Sequence, residues 1–359
     1  MRWWKHMAAA LVACFCLLSQ PVVAAGEHDE HAAASGRSSA DVDVAELVLG
    51  HIADSYGWHL TTWKGEHITI PLPCIVHSST GWHVFMSSQI EHGHVYEGLF
   101  LSENDKIMEI LPDGSIERPF DISITKNVAS LMVSALLLIA IVLGAARWYK
   151  KHDTVNEGAP RGFAGLVEML VMMVTEDLIK PSIDEKYYRK YTPFLLTVFF
   201  FIFLSNLLGI VPFFPGGANV TGNIAVTMVL ALFSFFMVNL FADKHYWKEI
   251  LWPDAPIFLK FPLPIMQIIE IFGMISKPFS LMVRLFANIL AGHAMILGLV
   301  AVIFITAKMG PVLSGSMTAI TVVFGVFMDC LELLVAFIQA YVFTMLSAVF
   351  IGMSRQGGH

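Results

Sequence analysis

The sequence predicts an all-α polytopic membrane protein: five membrane-crossing helices, the last two forming a long tilted C-terminal hairpin, and a small β-rich N-terminal extracytoplasmic domain. This prediction depends on the composition, the distribution of charge and the apolar runs. Of the 359 residues, 56% are apolar and only 14% are charged. A typical soluble domain carries about 25% charged residues. The composition therefore excludes ordinary soluble enzymes, disordered chains and nucleic-acid-binding proteins.

Charge is divided unevenly along the chain. Residues 26–126 carry 16 acidic and 5 basic residues, a net charge of −11, whereas the rest carries 13 acidic and 17 basic residues, a net charge of +4. The first set is typical of an acidic aqueous segment, and the second of a membrane body with basic cytoplasmic loops. We therefore expect three parts, at residues 1–25, 26–126 and 127–359.

The first part has the pattern of a secretory signal peptide. Arg2 and Lys5 supply its basic start, residues 7–18 its apolar stretch, and residues 22–25 the small side chains expected at a cleavage site. The mature N-terminus is then expected outside the cytoplasm. A lipoprotein site at Cys14 is the alternative, but the apolar stretch before that cysteine would be very short.

The second part is predicted to be an acidic, His-rich extracytoplasmic domain, since it holds 9 of the 14 histidines. Short alternating runs typical of β-strands lie at residues 67–76, 82–86, 96–102 and 106–111. Pro112-Asp113-Gly114 predicts the turn after the last run. Glu91-His92-Gly93-His94 contains metal-ligand side chains, but it has no second ligand pair at a defined spacing, so we interpret it as a solvated loop.

Five apolar runs predict the membrane spans, each of which needs about 20 apolar residues. They are residues 128–147, 193–212, 222–242, 264–307 and 311–353. The second and third belong to one 50-residue stretch without charge, which prolines and glycines at 212–217 interrupt. The last two are about 65 Å long as helices, twice the thickness of a hydrocarbon core. They must therefore tilt, kink or lie partly along the membrane, with Pro278 as the expected kink.

Basic loops set the predicted orientation, because such loops stay in the cytoplasm. Lysine and arginine are concentrated after the first and third spans, whereas the loop after the second span has none and the loop after the fourth has only Lys308. We therefore expect the N-terminus outside and the C-terminus inside, in a bacterial cytoplasmic (inner) membrane. No internal repeat of the kind used by transporters is visible in the sequence.

Arg284 is the most informative residue, because it lies deep inside an apolar run and its guanidinium stays charged. It can attract a carboxylate and block cations, but it cannot relay a proton. A buried salt bridge to Glu332 is the structural alternative. Ser280 and Asn288 lie four residues to either side, on the same predicted helix face.

Further ionisable groups flank Arg284 at helical spacing. Glu270 is about 21 Å from it along the axis, and His293 is about 13 Å away on the other side, rotated by about half a turn. Glu332 and Gln339 are seven residues apart and share a face of the last run. Because the two runs form a hairpin, we expect His293 to face Glu332, a pair suited to proton relay. A hydrogen-bonded core histidine is the alternative.

Around these positions the sequence resembles subunit a of the F-type ATP synthase, over roughly residues 160–353. The matching motifs are GLVEM at 165–169, NLLGIVP at 206–212, TGNIAVT at 221–227 and KPFSLMVRLFANILAGH at 277–293, with Glu332 and Gln339 at the family's spacing. Together these motifs are highly specific. The signal peptide and the long acidic segment depart from the short N-terminus of many members.

The resemblance implies a role for each matched residue. Arg284 resembles the stator arginine that faces the rotating ring of subunit c. The outward half-channel is matched by Asn288, His293, Glu332 and Gln339, and the cytoplasmic exit side by Glu270 and Ser280. His293 and Glu332 are exchanged relative to many bacterial members, as in mitochondrial subunits, but one acid and one imidazole are retained.

The resemblance also implies partners: the c-ring, the subunit b peripheral stalk, the remaining ATP synthase subunits and lipid. The implied role is a non-catalytic, proton-translocating one without a cofactor, a metal or nucleic acid, and no phosphate-binding loop for a nucleotide is present. Two alternatives stay open. A proton-coupled secondary transporter predicts broken-helix repeats, and a metal-binding or sensory receptor predicts ligand binding by the His-rich segment.

Overall fold

A computed structural model describes residues 54–63, 66–91, 94–102, 105–152, 160–211, 215–252, 265–306 and 310–355. The predicted signal peptide, the alternative site at Cys14 and the central two residues of the Glu91–His94 pattern lie outside the described residues. The described chain is mostly helical after residue 126 and has small strands before it. This architecture is that of a polytopic membrane protein.

Contacts divide the chain into two compact units. One comprises the described residues within 1–131, 209–220 and 290–331, and the other comprises those within 132–208, 221–289 and 332–359. The strands and a small apolar core belong to the first unit. A larger core, to which the helices of the membrane region contribute, belongs to the second.

The strands before residue 126 form small antiparallel sheets. They are β1 (Gly57–Trp63), β2 (Glu66–Pro71), β3 (Pro73–Ser78), β4 (Gly81–Met86), β5 (Leu99–Leu101), β6 (Ile107–Ile110), β7 (Ile116–Glu117) and β8 (Phe120–Asp121). The sheet orders are β1-β2, β4-β3-β8 and β5-β6-β7. Strands β2 to β6 fall on the predicted alternating runs, whereas β1, β7 and β8 are additional. Gly114, with φ of 84°, supports the predicted turn between β6 and β7.

A small core holds these strands together. Its buried side chains are Tyr56, Cys74, Val76, Phe85, Ile90, Leu99 and Ile107. On β3 the buried residues alternate with more exposed ones, as expected for a strand with one face on a core. Burial raises the pKa of the Cys74 thiol to about 12, which leaves it protonated at neutral pH.

The described helices are α1 (Lys126–Lys151), α2 (Phe163–Met173), α3 (Lys180–Ser182), α4 (Tyr188–Ile210), α5 (Ile224–Leu240), α6 (Lys244–Leu251), α7 (Ile265–Thr306) and α8 (Pro311–Arg355). Within the described ranges, four are long and apolar enough to cross a membrane: α1, α4, α7 and α8. The expected third span corresponds to α5, an apolar helix of only 17 residues. The count of five spans therefore stays a prediction. Helix α7 continues through Pro278.

Helices α2 and α3 lie where the sequence predicted only a basic cytoplasmic loop. A π-helical segment, Val174–Ile179, joins them into one continuous helical stretch. Pro181 lies just beyond the wider turns of this segment. Because proline lacks an N–H and its ring clashes with the carbonyl four residues earlier, a regular α-helix is unfavourable there. The basic residues on either side obscured the apolar pattern of α2.

Helix α4 lies at the centre of the larger core. Its fully buried side chains include Tyr191, Leu195, Phe199 and Ile202. Phe337 of α8 packs edge-on against Phe199, with ring centroids 6.1 Å apart. Such aromatic pairs supply contact area and preferred geometry between helices, where lipid weakens the hydrophobic drive for association.

The C-terminal end of α8 is fixed by polar contacts and a close backbone approach. Arg355 donates from Nη1 to Asp243 Oδ1 at 2.9 Å and from Nε to the Tyr191 hydroxyl at 3.0 Å. A Cβ built on Gly352 would lie 1.9 Å from the backbone oxygen of Ser182. Only a glycine allows α8 to lie this close to the end of α3.

Candidate functional site

Arg284 lies near the middle of α7, and its side chain is exposed on the surface of the chain. In the part of the chain that the structure describes, no carboxylate pairs with its guanidinium. The described residues thus give no support to the alternative of an internal salt bridge between Arg284 and Glu332. An arginine at the depth of an apolar helix needs a partner or water, since an isolated charge in hydrocarbon is unfavourable.

Gln339 of α8 fixes the backbone at this arginine. Its side chain is 3% exposed, and Nε2 donates to the Arg284 carbonyl oxygen at 3.0 Å. The bond joins α7 to α8 at the position of the charge. Gln339 thus positions the helix that carries Arg284. The guanidinium takes no part in this hydrogen bond.

Three polar residues of α7 form an exposed stripe. Ser280, Arg284 and Asn288 follow one another at intervals of four, and all three are exposed. Leu281, Leu285 and Ile289 are buried on the adjoining face, where they pack into the larger core. The spacing places the polar stripe away from the core of this chain, as expected for a helix with one face packed internally.

His293 and Glu332 lie well away from the ends of α7 and α8, respectively. The His293 ring lies beside Gly209, whose built Cβ would be 3.7 Å from both ring atoms Cε1 and Nε2. Glu332 is 6% exposed. A Cβ at position 209 would thus be in ordinary van der Waals contact with the imidazole, which packs against this turn of α4. The expected pairing of His293 with Glu332 stays a prediction.

The N-terminal half of α7 borders a small pocket that is open to the surface. Lys277 lines it and lies with Nζ 5.3 Å from the centroid of the Phe350 ring. Asn239 and Ser234 of α5 supply polar groups to the same pocket. Glu270, one predicted site residue of this region, is half-buried on α7.

Asn206 is a buried polar residue to which the sequence pattern assigned no role in the site. Its Nδ2 donates to the Ala336 carbonyl oxygen of α8 at 3.3 Å, and its Oδ1 accepts from the Thr221 hydroxyl at 2.5 Å. It therefore joins α4, α8 and the segment before α5. The available signal was an amide inside a 50-residue run without charge, since buried polar groups in such runs need partners.

Two protein families match the chain. The family ATP synthase A chain matches residues 128–352, and a domain of unknown function, DUF8433, matches residues 47–127. The first range includes every predicted site residue. The second range overlaps the segment that contains the small sheets.

Curated relatives agree with the first match. ATP synthase subunit a 2 of Chlorobaculum tepidum is 42% identical over 250 residues, 68% of each chain. ATP synthase subunit a of Chloroherpeton thalassium is 41% identical over 242 residues, 66% of this chain and 67% of the relative. ATP synthase subunit a of Myxococcus xanthus is 38% identical over 306 residues, 81% of this chain and 90% of the relative. By identity and coverage, the chain belongs to the ATP synthase A chain family.

Proposed function

We propose that this chain is the non-catalytic stator subunit a of an ATP synthase membrane sector, Fo, and that it couples proton translocation to rotation of a ring of c subunits. Membership of the family and the names of its relatives support the proton-translocating role. The partners are then the c-ring, the subunit b peripheral stalk and the remaining synthase subunits. The membrane is the bacterial cytoplasmic (inner) membrane, with five spans, the N-terminus outside and the C-terminus inside.

The observation that carries the proposal is the exposed Arg284 without a carboxylate partner in the described chain. Desolvating a guanidinium in a bilayer is unfavourable unless a counter-charge compensates it. A carboxylate on the ring of another subunit meets this need. Because the guanidinium keeps its proton, it favours the ionised carboxylate and blocks direct passage of protons between the two sides.

The outward half-channel is proposed to include Asn288, His293, Glu332 and Gln339. An imidazole and a carboxylate can exchange protons near neutral pH, which suits His293 and Glu332 to relay. The buried position of Glu332 supports this role. Gln339 acts as a positioning residue, because its amide bonds the backbone of Arg284.

The inward half-channel is proposed to pass Ser280 and Glu270 on the N-terminal half of α7. A proton entering from outside neutralises a ring carboxylate, which can then face lipid as the ring turns. When that carboxylate approaches Arg284, ionisation becomes favourable and the proton leaves past Glu270. The membrane potential supplies about 2.3 kcal/mol per charge per 100 mV to drive the cycle.

Substitution of Arg284 tests this proposal. In membranes that contain the assembled synthase, Arg284→Ala should abolish ATP-driven proton pumping and proton-driven ATP synthesis. Arg284→Lys should also fail, because a point charge on a flexible stem replaces a planar, delocalised one. The matched control is Ile275→Ala, an exposed α7 side chain nine residues from Arg284 and on the opposite side of the helix.

The control should assemble and pump like the unmodified complex. Normal coupled synthesis by Arg284→Ala would overturn the proposal. Purification addresses the transporter alternative: the tagged chain should bring down a small ring-forming membrane protein and a soluble ATPase. Proton-coupled transport of a solute by the purified chain alone would favour the transporter instead.

A further inference from the structure

One face of the sheet β4-β3-β8 is apolar and exposed. Its members alternate along each strand, and the strand register brings them to the same side: Ile75, Trp82, Val84, Met86, Phe120 and Ile122. We call them the apolar face. The register also places His77 of β3 among them, with its ring edge-on to that of Trp82 and the ring centroids 4.8 Å apart. Trp82 is 59% exposed, Val84 69% and Phe120 52%, and soluble surfaces rarely gather such side chains in one patch.

The opposite side of the same sheet already has a core. Cys74 and Val76 of β3 and Phe85 of β4 are buried there. The apolar face is thus a second, uncovered side rather than a displaced core. A β-sheet with apolar side chains on both faces needs a cover for the second, because exposed apolar surface is unfavourable in water.

Charge is absent from this part of an otherwise acidic segment. Residues 67–90 contain no Asp, Glu, Lys or Arg, although residues 26–126 carry a net charge of −11. A protein partner drawn to this segment by charge would dock on the acidic parts and not on the apolar face. The composition of the face, with tryptophan and phenylalanine among aliphatic residues, is that of a membrane interface.

The sheet is attached directly to the first apolar helix. Beyond β8 the chain continues to bond to β3 as far as Ile124, whose N–H donates to the Pro73 oxygen at 3.1 Å. Two residues later α1 begins at Lys126, whose N–H donates to the Ser55 oxygen at 2.8 Å. Ile122 is therefore at most about 14 Å of extended chain from the start of the helix.

Asp54 strengthens this attachment. One carboxylate oxygen accepts from the Asn127 N–H at 3.0 Å, inside the first turn of α1, and the other accepts from the Thr125 hydroxyl at 2.7 Å. The side chain caps the helix from a residue far away in sequence. The connection between the sheet and the helix is therefore hydrogen-bonded at both ends.

We propose that the apolar face lies on the lipid surface at the end of α1, with its side chains at the boundary between headgroups and acyl chains. The uncharged residues 128–146 place the hydrocarbon boundary near the start of α1. The headgroup region extends several ångströms beyond it, within reach of β8. Because the face carries no Asp, Glu, Lys or Arg, contact at neutral pH requires no anionic lipid and is insensitive to salt.

Spin labels on the full-length chain test this proposal in nanodiscs of zwitterionic phosphatidylcholine. The label is introduced as Val84→Cys, and in a second variant as Phe120→Cys on another strand. Cys14, Cys16 and Cys330 are replaced by serine, while the buried Cys74 remains. The control is Ile116→Cys on β7, a similarly exposed apolar side chain in the other three-stranded sheet.

Collisions with oxygen, which dissolves in lipid, and with a water-soluble nickel chelate give the readout. At positions 84 and 120 the oxygen-to-nickel ratio should exceed that at position 116 several-fold, with the same result in high salt. Equal nickel access at the three positions would overturn the proposal. Shielding that appears only in the assembled complex would also overturn it, because the cover would then be another protein.

Discussion

Helices α4 and α8 are equally apolar in sequence but have different surroundings. In the most apolar part of α4, 56% of the residues are buried within this chain, whereas in α8 only 17% are. The two helices have the same mean hydropathy there. Hydropathy therefore predicts that a helix enters the membrane, but not whether its neighbours are its own chain, lipid or another subunit.

The difference is also visible within α8 itself. Its C-terminal half contributes Ala340, Phe343, Ala348 and Ile351 to the larger core, whereas most side chains of residues 312–331 are exposed. The buried half is also the half that holds Gln339 against α7. The chain thus packs the region that positions Arg284 and leaves apolar surface elsewhere for lipid or partners.

The glycines of α8 allow the sharpest test of this contrast. Gly352→Ala would place a Cβ 1.9 Å from the Ser182 oxygen, so α8 would have to move, with a loss of about 3 kcal/mol in the free energy of unfolding. Gly325→Ala, in the exposed half, meets open space and should be neutral or slightly stabilising. Unfolding of the purified chain in detergent measures both. Equal effects would mean that α8 does not pack differently in its two halves.

Asn206→Leu should have the next largest effect. It removes the donor to the Ala336 oxygen and the acceptor for the Thr221 hydroxyl, which should lower the free energy of unfolding by about 1–2 kcal/mol. Thr221→Val, which breaks only one of these bonds, should be milder. The same detergent unfolding applies, and a double variant no worse than Asn206→Leu alone would show that the two side chains act together. Strict additivity would contradict the link.

Arg355→Lys should weaken the end of α8 by about 1 kcal/mol, because a lysine cannot bond Asp243 and the Tyr191 hydroxyl in the same geometry. Asp243→Asn should lose only the ionic part of the contact with Arg355. The stability of this variant should therefore depend less on salt than that of the unmodified chain. Hydrogen exchange at the last turn of α8 reports the local change. Unaltered exchange in both variants would mean that the ion pair does not hold this end.

The reactivity of the Cys74 thiol provides the prediction with the smallest effect on stability. Burial raises the pKa of its thiol to about 12, so the reactive thiolate is scarce at pH 8. Alkylation of the folded chain should therefore be negligible and become rapid only after unfolding, as followed by mass spectrometry. Asp54→Ala, which removes the cap of α1, should increase the alkylation of Cys74 in the folded chain. Asp54→Asn should preserve most of the protection, because asparagine caps helices about as well as aspartate. Fast labelling of the folded chain would contradict the burial of Cys74.

Much of the fold follows from local patterns. Long apolar runs predict α1, α4, α7 and α8, because a bilayer requires internally bonded backbone and apolar side chains over a fixed length. Alternation predicts β2 to β6 for a similar reason, since one face of each strand meets a core. By contrast, α2 was missed because its apolar residues lie between basic ones, and β8 was missed because two residues give no period.

In the site, too, some features follow from local sequence pattern and others do not. Periodicity placed Ser280, Arg284 and Asn288 on one face of a helix, and all three are exposed. It did not exclude the salt bridge between Arg284 and Glu332, because contact between distant residues depends on how two helices pack. The hydrogen bond from the Gln339 side-chain amide to the Arg284 carbonyl oxygen cannot be read from residue spacing. The contacts of Asn206 cannot be read from it either.

The sequence by itself determined the class of protein, the positions of the apolar helices and the resemblance to a family, because these depend on composition and short-range pattern. Only the tertiary structure decided which apolar surfaces are covered. Hydropathy is a property of each residue alone, whereas burial depends on its neighbours. That distinction separates α4 from α8, leaves Arg284 exposed, and leaves the apolar face on the sheet β4-β3-β8 uncovered.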